Sequence, residues 1–281
     1  MSTRVESALC PGSPAQQHAA EAQPEGENMI TFAHVSDLHI DLGERATERA
    51  RRLIGRLKAM SGLDAVLVTG DIADHGTAAE YRLVRELLAE LQGPVLVLPG
   101  NHDVREQFGP ALLDRDASAD EINQVVPVGD SDFLLCDSTI PGESGGRLSP
   151  VTLTWLKEVL AERDPARPAV LAFHHPPAVL HIPSVDAIRQ TGEQELADLL
   201  DGRPDVVALV CGHAHTAATT TFAGRPLVVG PGCVSTTQLP VLGPEVLEPQ
   251  APPGYAIHLL DQDGRLVTHF RPVQVRLGRT P

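Results

Sequence analysis

The sequence is short of positive charge. Its 22 Lys and Arg stand against 37 Asp and Glu, a formal net charge of −15. Nucleic acid polymers and anionic membranes are polyanions and would be repelled at long range, which excludes partners held chiefly by phosphate charge. A chain this acidic that handled phosphate would need local positive charge, and bound metal would supply it. Cysteine is equally scarce: Cys10, Cys136, Cys211 and Cys233 lie far apart with no CxxC pair. Neither a zinc knuckle nor a disulfide framework is expected, and a reducing cytoplasm is the simplest home. No run approaches the roughly 18 apolar residues that span a bilayer. There is no Gly-rich loop ending in Lys-Ser or Lys-Thr, which removes P-loop chemistry.

What is present is enough for a folded enzyme: 281 residues, 42% hydrophobic, can bury a substantial core. Residues 1–28 are rich in Ala, Gln, Glu, Pro, Ser and Gly, carry no signal-peptide-like apolar run, and are expected to form a disordered tail. Met29 directly precedes the first strand-like run, so a natural start there is an expectation that intact-mass analysis checks. Residues 29–281 show no repeat and no linker and are expected to form one domain.

Strand-like runs alternate with helix-period runs, the pattern of an α/β domain. Ile30 to Val35, Ala65 to Val68, Val95 to Leu98, Phe133 to Cys136, Ala169 to Phe173 and Val206 to Cys211 read as strands. Helices are expected over Glu44 to Met60, Thr77 to Leu91 and Pro150 to Leu160, the last with Ser149 as N-cap and Pro150 at its first position. The C-terminal part is β-like, with strands at Leu227 to Val229, Tyr255 to Leu260 and Leu266 to Phe270, and Pro240 to Pro253 reads as a surface loop.

Five polar clusters follow strands directly: Asp37-x-His39, Gly70-Asp71, Gly100-Asn101-His102-Asp103, His174-His175 and Gly212-His213-x-His215. Each alone also fits an ordinary polar turn. Together they mark one crevice, because loops beyond the carboxyl ends of strands in α/β sheets converge. Were the strand to continue, its period of two would turn Asp37 and His39 to one side to chelate one ion, and would let His213 and His215 flank a metal pair. Carboxylate, imidazole and amide suit Mn, Fe, Zn, Co or Ni. Cys211, in an apolar strand, reads as a small buried hydrophobe rather than a nucleophile, and His181 as a solvated loop histidine.

At these residues the sequence resembles the calcineurin-like metallophosphoesterases, whose ordered signature is DxH, GD, GNH(D/E), a GH or HH pair, and GHxH. Stretches such as HVSDLHID, VTGDIADHG, LPGNHDVRE, AFHHPP and CGHAHT look most like bacterial class III cyclic nucleotide phosphodiesterases and their glycerophosphodiesterase relatives. The resemblance covers about residues 29 to 235. It implies a four-layer α-β-β-α sandwich of two mixed sheets flanked by helices, with two metal ions at the strand ends, Fe/Mn or Mn/Mn with Zn or Co as alternatives. By motif position Asp37, His39, Asp71 and His215 would hold one ion, and Asp71, Asn101, His175 and His213 the other, with Asp71 bridging and His174 a neighbour. His102, beside Asn101 at the substrate phosphate, would stabilise its charge or protonate the departing alkoxide, and Asp74 would orient His102.

Protein Ser/Thr phosphatases of this superfamily extend the second block with Arg-Gly, whereas here it reads Asp74-His75-Gly76. A guanidinium clamp for a phosphomonoester dianion is missing at that position, which tilts the expectation towards a diester, unless Arg105 or Arg147 reaches the site. The expected activity is hydrolysis of a small phosphodiester, foremost 3′,5′-cyclic AMP. Alternatives are a broad-specificity phosphoesterase acting on glycerophosphodiesters or monoesters, and a noncatalytic metal-binding scaffold. Relatives of this kind also imply a possible homodimer.

Overall fold

The computed structural model describes residues 29–274; the tail expected over 1–28 lies outside them. The strands in chain order are β1 (Ile30–Val35), β2 (Ala65–Thr69), β3 (Val95–Leu98), β4 (Gln124–Val128), β5 (Ser131–Leu135), β6 (Gly146–Arg147), β7 (Ala169–Ala172), β8 (Gln190–Thr191), β9 (Val206–Cys211), β10 (Ala218–Phe222), β11 (Arg225–Val229), β12 (Thr236–Thr237), β13 (Leu247–Glu248), β14 (Gly254–Leu260) and β15 (Leu266–Pro272). The helices are α1 (Glu44–Lys58), α2 (Ala78–Leu88), α3 (Arg105–Leu112), α4 (Pro150–Glu162), α5 (Pro183–Asp186) and α6 (Glu193–Leu200).

Two mixed sheets result. One runs β15-β14-β1-β2-β3 and the other β10-β11-β9-β7-β5-β4. The inner strands of each are parallel, joined by helical crossovers except from β9 to β11, where the chain passes through β10, while β14, β15, β4 and β10 add antiparallel strands. Strand alternation sorts the apolar side chains into layers. Phe32, Ala65, Leu67, Leu96 and Leu98 of the first sheet meet Phe133, Leu135, Val170, Ala172 and Val210 of the second. The opposite face of the first sheet, with Ala33, Val35, Val66 and Val68, packs on Leu53, Leu57, Tyr81 and Phe108 of α1 to α3. The second sheet mirrors this, with Leu171 and Leu209 against Leu156, Leu160, Leu196 and Leu200 of α4 and α6. The expected α-β-β-α sandwich is therefore observed.

Local signals hold the crossovers. Ser149 caps α4 by accepting from Thr152 N, with Pro150 opening the helix. Thr77 and Glu80 form a capping box on α2, which also occupies His75, whose Nδ1 lies 2.9 Å from Glu80 Oε1. The segment expected as a loop, Pro240 to Pro253, contains a 3-10 turn at Pro240–Leu242 and the strand β13, which pairs antiparallel with β12. Two short elements, β4 and α6, lack a clear signature: β4 carries Pro127 and α6 spans eight residues. Among the described residues no helix is long and apolar enough to cross a membrane.

Candidate metal centre

All five polar clusters leave the carboxyl ends of parallel strands, β1, β2, β3, β7 and β9, at one edge shared by the two sheets. Gly212 N to His174 O at 2.9 Å joins the loops after β9 and β7 within the second sheet, and two bonds stitch the sheets together: His213 N to Asp37 Oδ1 at 3.1 Å and His174 Nδ1 to Thr69 O at 2.6 Å. Gly212 permits this approach, since a Cβ there would lie 2.7 Å from Thr69 O and collide with Ser36 Oγ.

Asp37 and His39 do converge, but not through strand pleat as the sequence reading supposed. The strand ends at Val35, and Asp37 (φ 57°), His39 (φ 44°), Asp71 (φ 49°), His213 (φ 67°) and His215 (φ 50°) all adopt left-handed backbone. Non-glycine residues rarely take that conformation, and clusters of them mark sites where surrounding structure over-determines the chain. Each kink turns a side chain inward over the sheet edge.

Ligand-type atoms of Asp37, His39, Asp71 and His215 all lie within 4.8 Å of one another. His39 Nδ1 sits 2.8 Å from Asp74 Oδ1. A carboxylate accepts there, so Nδ1 carries a proton and Nε2 is the nitrogen turned forward. Forward of it are Asp71 Oδ2 at 3.4 Å and His215 Nε2 at 3.1 Å. His215 Nδ1 is within 2.9 Å of Ser235 Oγ, and its Nε2 is 3.6 Å from Asp37 Oδ1. Four ligand-type side chains thus face one point, where a cation would balance the two buried carboxylates.

A second group comprises His174, His175 and His213, again within 4.8 Å. Here the structure departs from the sequence reading, which made His175 the ligand and His174 its neighbour. His174 is the histidine beside Asp71, with Nε2 3.3 Å from Asp71 Oδ2. Its Nδ1 faces the Thr69 carbonyl, which only accepts, so that nitrogen carries a proton and Nε2 is the one turned to Asp71. His175 instead leans on Ser138, Nδ1 to Oγ 2.9 Å, and that hydroxyl also receives the main-chain N–H of His174 and His175. The strand ends at Ala172 and no pleat separates the two rings, whose centroids lie 4.8 Å apart; the Thr69 carbonyl holds His174 beside Asp71 while the Ser138 hydroxyl holds His175.

The Asp74 carboxylate is likewise shared differently from expectation. It binds His39 at 2.8 Å and lies 3.5 Å from His102 Nδ1, which is closer to the main-chain carbonyl of Asp74, at 2.8 Å. His102 N donates to Asp71 Oδ1 at 2.9 Å, holding Asn101 and His102 against that carboxylate. Asp103, named in its cluster but given no role of its own there, ties the loops together. It accepts from Ile72 N, Ala73 N and Gly100 N and from the Tyr81 hydroxyl.

The chemistry of these groups fits cations. Asp37 Oδ2, Asn101 Oδ1, and Nε2 of His174, His175 and His213 are buried without hydrogen-bond partners, a costly state that coordination relieves. Burial pushes His213 down to about 4, helped by neighbouring His174, and burial also lowers His215, so both present neutral imidazoles. Burial opposes protonation of His174 too, yet the Asp71 carboxylate prevails and raises it to about 9. Asp71 is held well below the usual carboxylate range, His174 outweighing its burial. The proton shared by that pair occupies the place in the charge balance that a metal would take.

Neither arginine proposed as a substitute clamp reaches the centre. Arg105 is buried against Asp137 at 2.8 Å and the carbonyls of Ala119 and Thr139, and Arg147 pairs with Glu195 at 3.0 Å. Cys211 is fully buried and its thiol is pushed well above its ordinary value by that burial, which excludes a thiolate nucleophile. His181 is exposed.

Comparison with known proteins agrees with this geometry. The family profile described as calcineurin-like phosphoesterase matches residues 30–217. The chain is 33% identical over 237 residues to a cAMP/cGMP dual specificity phosphodiesterase of Mycobacterium tuberculosis, covering 80% of this chain and 74% of that one. It is 30% identical over 220 residues to a glycerophosphodiester phosphodiesterase of Enterobacter lignolyticus, covering 73% and 78%. Among solved structures, a dimetal phosphatase from Danio rerio superposes with a TM-score of 0.66 at 16% identity, covering 87% of this chain and 96% of that one. With the matched region spanning all five strand-end clusters, the chain belongs to the calcineurin-like phosphoesterase family.

Proposed function

We propose that the protein is a binuclear metal-dependent phosphodiesterase acting on a small diester, foremost 3′,5′-cyclic AMP. One observation carries this reading: Asp71 Oδ2 lies 3.4 Å from His39 Nε2 and 3.3 Å from His174 Nε2, so a single buried oxygen is shared by two sets of donors. Asp37, His39, Asp71 and His215 would hold one ion, and Asp71, Asn101, His174 and His213 the other, with His175 packed alongside. Manganese and iron suit this mixture of carboxylate, imidazole and amide, as do zinc and cobalt.

Two ions held by these residues would supply Lewis acidity to activate water and positive charge to balance the phosphoryl group. The chain's own residues do the rest. Asp74, Thr69 and Ser235 each engage the far nitrogen of a ligand histidine and so fix its orientation. His102 lines the cavity above the centre, and with Nδ1 committed to Asp74 O its Nε2 is the atom left to meet the phosphate and protonate the departing alkoxide. With Arg105 and Arg147 engaged elsewhere, no guanidinium among these complements a monoester dianion, which favours the diester.

Purified protein loaded with manganese should hydrolyse cyclic AMP faster than 2′,3′-cyclic AMP, glycerophosphodiesters or an aryl phosphomonoester. Turnover of the monoester alone overturns the diester reading. Metal-loaded protein that turns over none of them would instead mark a noncatalytic scaffold.

A further inference from the structure

The metal centre opens into a cavity of about 610 Å³ whose far side is chemically unlike its floor. His39, Asp74, His102, His213 and His215 line the floor, while Val185, Ile188, Val246 and Leu247 form an aliphatic wall. Two separate segments build that wall: α5 and the turn after it, just beyond the His174-His175-Pro176-Pro177 loop, and the β12-β13 ribbon. In the ribbon Thr237 pairs with Leu247, and both face the cavity. Ile188, Val246 and Leu247 are 36%, 52% and 49% exposed, so apolar surface stands uncovered beside the polar floor, the usual composition of a small-molecule site.

The wall is held at a fixed distance from the centre. Arg45 Nη2 on α1 donates to Val234 O at 2.7 Å and Pro249 O at 2.6 Å, and Arg49 Nε donates to Cys233 O at 2.8 Å. These bonds clamp both chains of the ribbon at its open end. They also fix Arg45 Nη2, on the cavity lining, against two main-chain carbonyls. Asp41, on the same rim, disfavours a second anionic group on the substrate.

On the reading of the centre as a diesterase, we infer that Val185, Ile188, Val246 and Leu247 are the subsite for the nucleobase of the substrate and select it over diesters with polyol substituents. A base is planar, uncharged and weakly hydrated on its faces. It gains from covering aliphatic surface, and its edge can reach the hydroxyls of Ser184 and Thr237 on the same lining. A glycerol substituent is already well hydrated and gains little from that contact.

The test is the double variant Ile188→Ser/Leu247→Ser, both positions being partly exposed so that folding is preserved, as thermal melts will check. In manganese-loaded protein, the ratio of kcat/KM for cyclic AMP to that for glycerophosphoethanolamine should fall at least about tenfold, through KM. Adenosine, which has no phosphate, should bind the wild type in a calorimetric titration and bind the double variant at least about tenfold more weakly. The conservative pair Ile188→Val/Leu247→Met should keep both properties. A specificity ratio and adenosine affinity within about twofold of wild type in the double variant overturn the assignment. Wild type that hydrolyses cyclic AMP while the double variant is unaffected refutes the wall and leaves the diesterase standing. Wild type that binds adenosine through these residues without hydrolysing cyclic AMP does the reverse.

Discussion

Two histidines away from the cavity give the sharpest test of the structure's energetics. His34 and His258 are fully buried between the sheets, with His34 Nε2 2.9 Å from Thr69 Oγ1 and its Nδ1 3.3 Å from His258 Nε2. Burial pushes His34 down to about 3, and burial with the neighbouring His34 drives His258 the same way. In the unfolded chain His34 titrates near the ordinary value of about 6.5. Below that pH the unfolded state takes up a proton that the folded state refuses, so stability is present above about 6.5 and is lost as pH falls towards 3. From pH 7 to pH 5 the loss from His34 comes to about 2 kcal/mol, a sizeable share of a domain's typical stability. His34→Gln keeps a group able to reach Thr69 but cannot titrate. Urea unfolding of both proteins at pH 7 and pH 5, with chelator present throughout, should show the wild type losing about 2 kcal/mol more than the variant. Parallel losses would refute the claim that His34 is neutral in the folded state.

Other outcomes bear on the centre itself. Asp71→Asn should lower turnover of cyclic AMP by on the order of 10³-fold and reduce bound metal in elemental analysis of the purified protein. His102→Ala should reduce kcat by about 10² to 10⁴-fold for an alkyl leaving group and much less for an aryl one, which leaves without protonation. Manganese at about 100 times its dissociation constant should stabilise the fold by about 2.7 kcal/mol in chemical unfolding, an effect that Asp37→Asn/Asp71→Asn abolishes.

Much of the architecture was readable because apolar strands stop where polar clusters begin. Ile30 to Val35 and Val206 to Cys211 are observed as read, and so is the cap at Ser149. The gathering of Asp37, His39, Asp71 and His215 was readable for the same reason. What escaped was contact that depends on direction rather than order. Nothing in His174-His175 says which imidazole faces Asp71, since that turns on where β7 ends against Thr69. Nor does Asp74 announce that its carboxylate prefers His39, because its reach is set by a turn whose main-chain carbonyl takes His102. The Val246-Leu247 wall lies in a Pro-rich stretch that reads as loop. It becomes part of a site through Arg45 and Arg49, roughly two hundred positions earlier in the chain, and no local pattern encodes such bonds.

The placement of the donors on both sheets also orders events as the chain matures. Asp37, His39, Asp71 and Asn101 emerge on one half of the sandwich, and His174, His213 and His215 on the other. On the proposed assignment neither half completes a set, His215 being absent from the first half's and Asp71 and Asn101 from the second's, so full affinity would arise only when the two faces close. Cation uptake during refolding would then report the docking of the halves rather than the formation of either one.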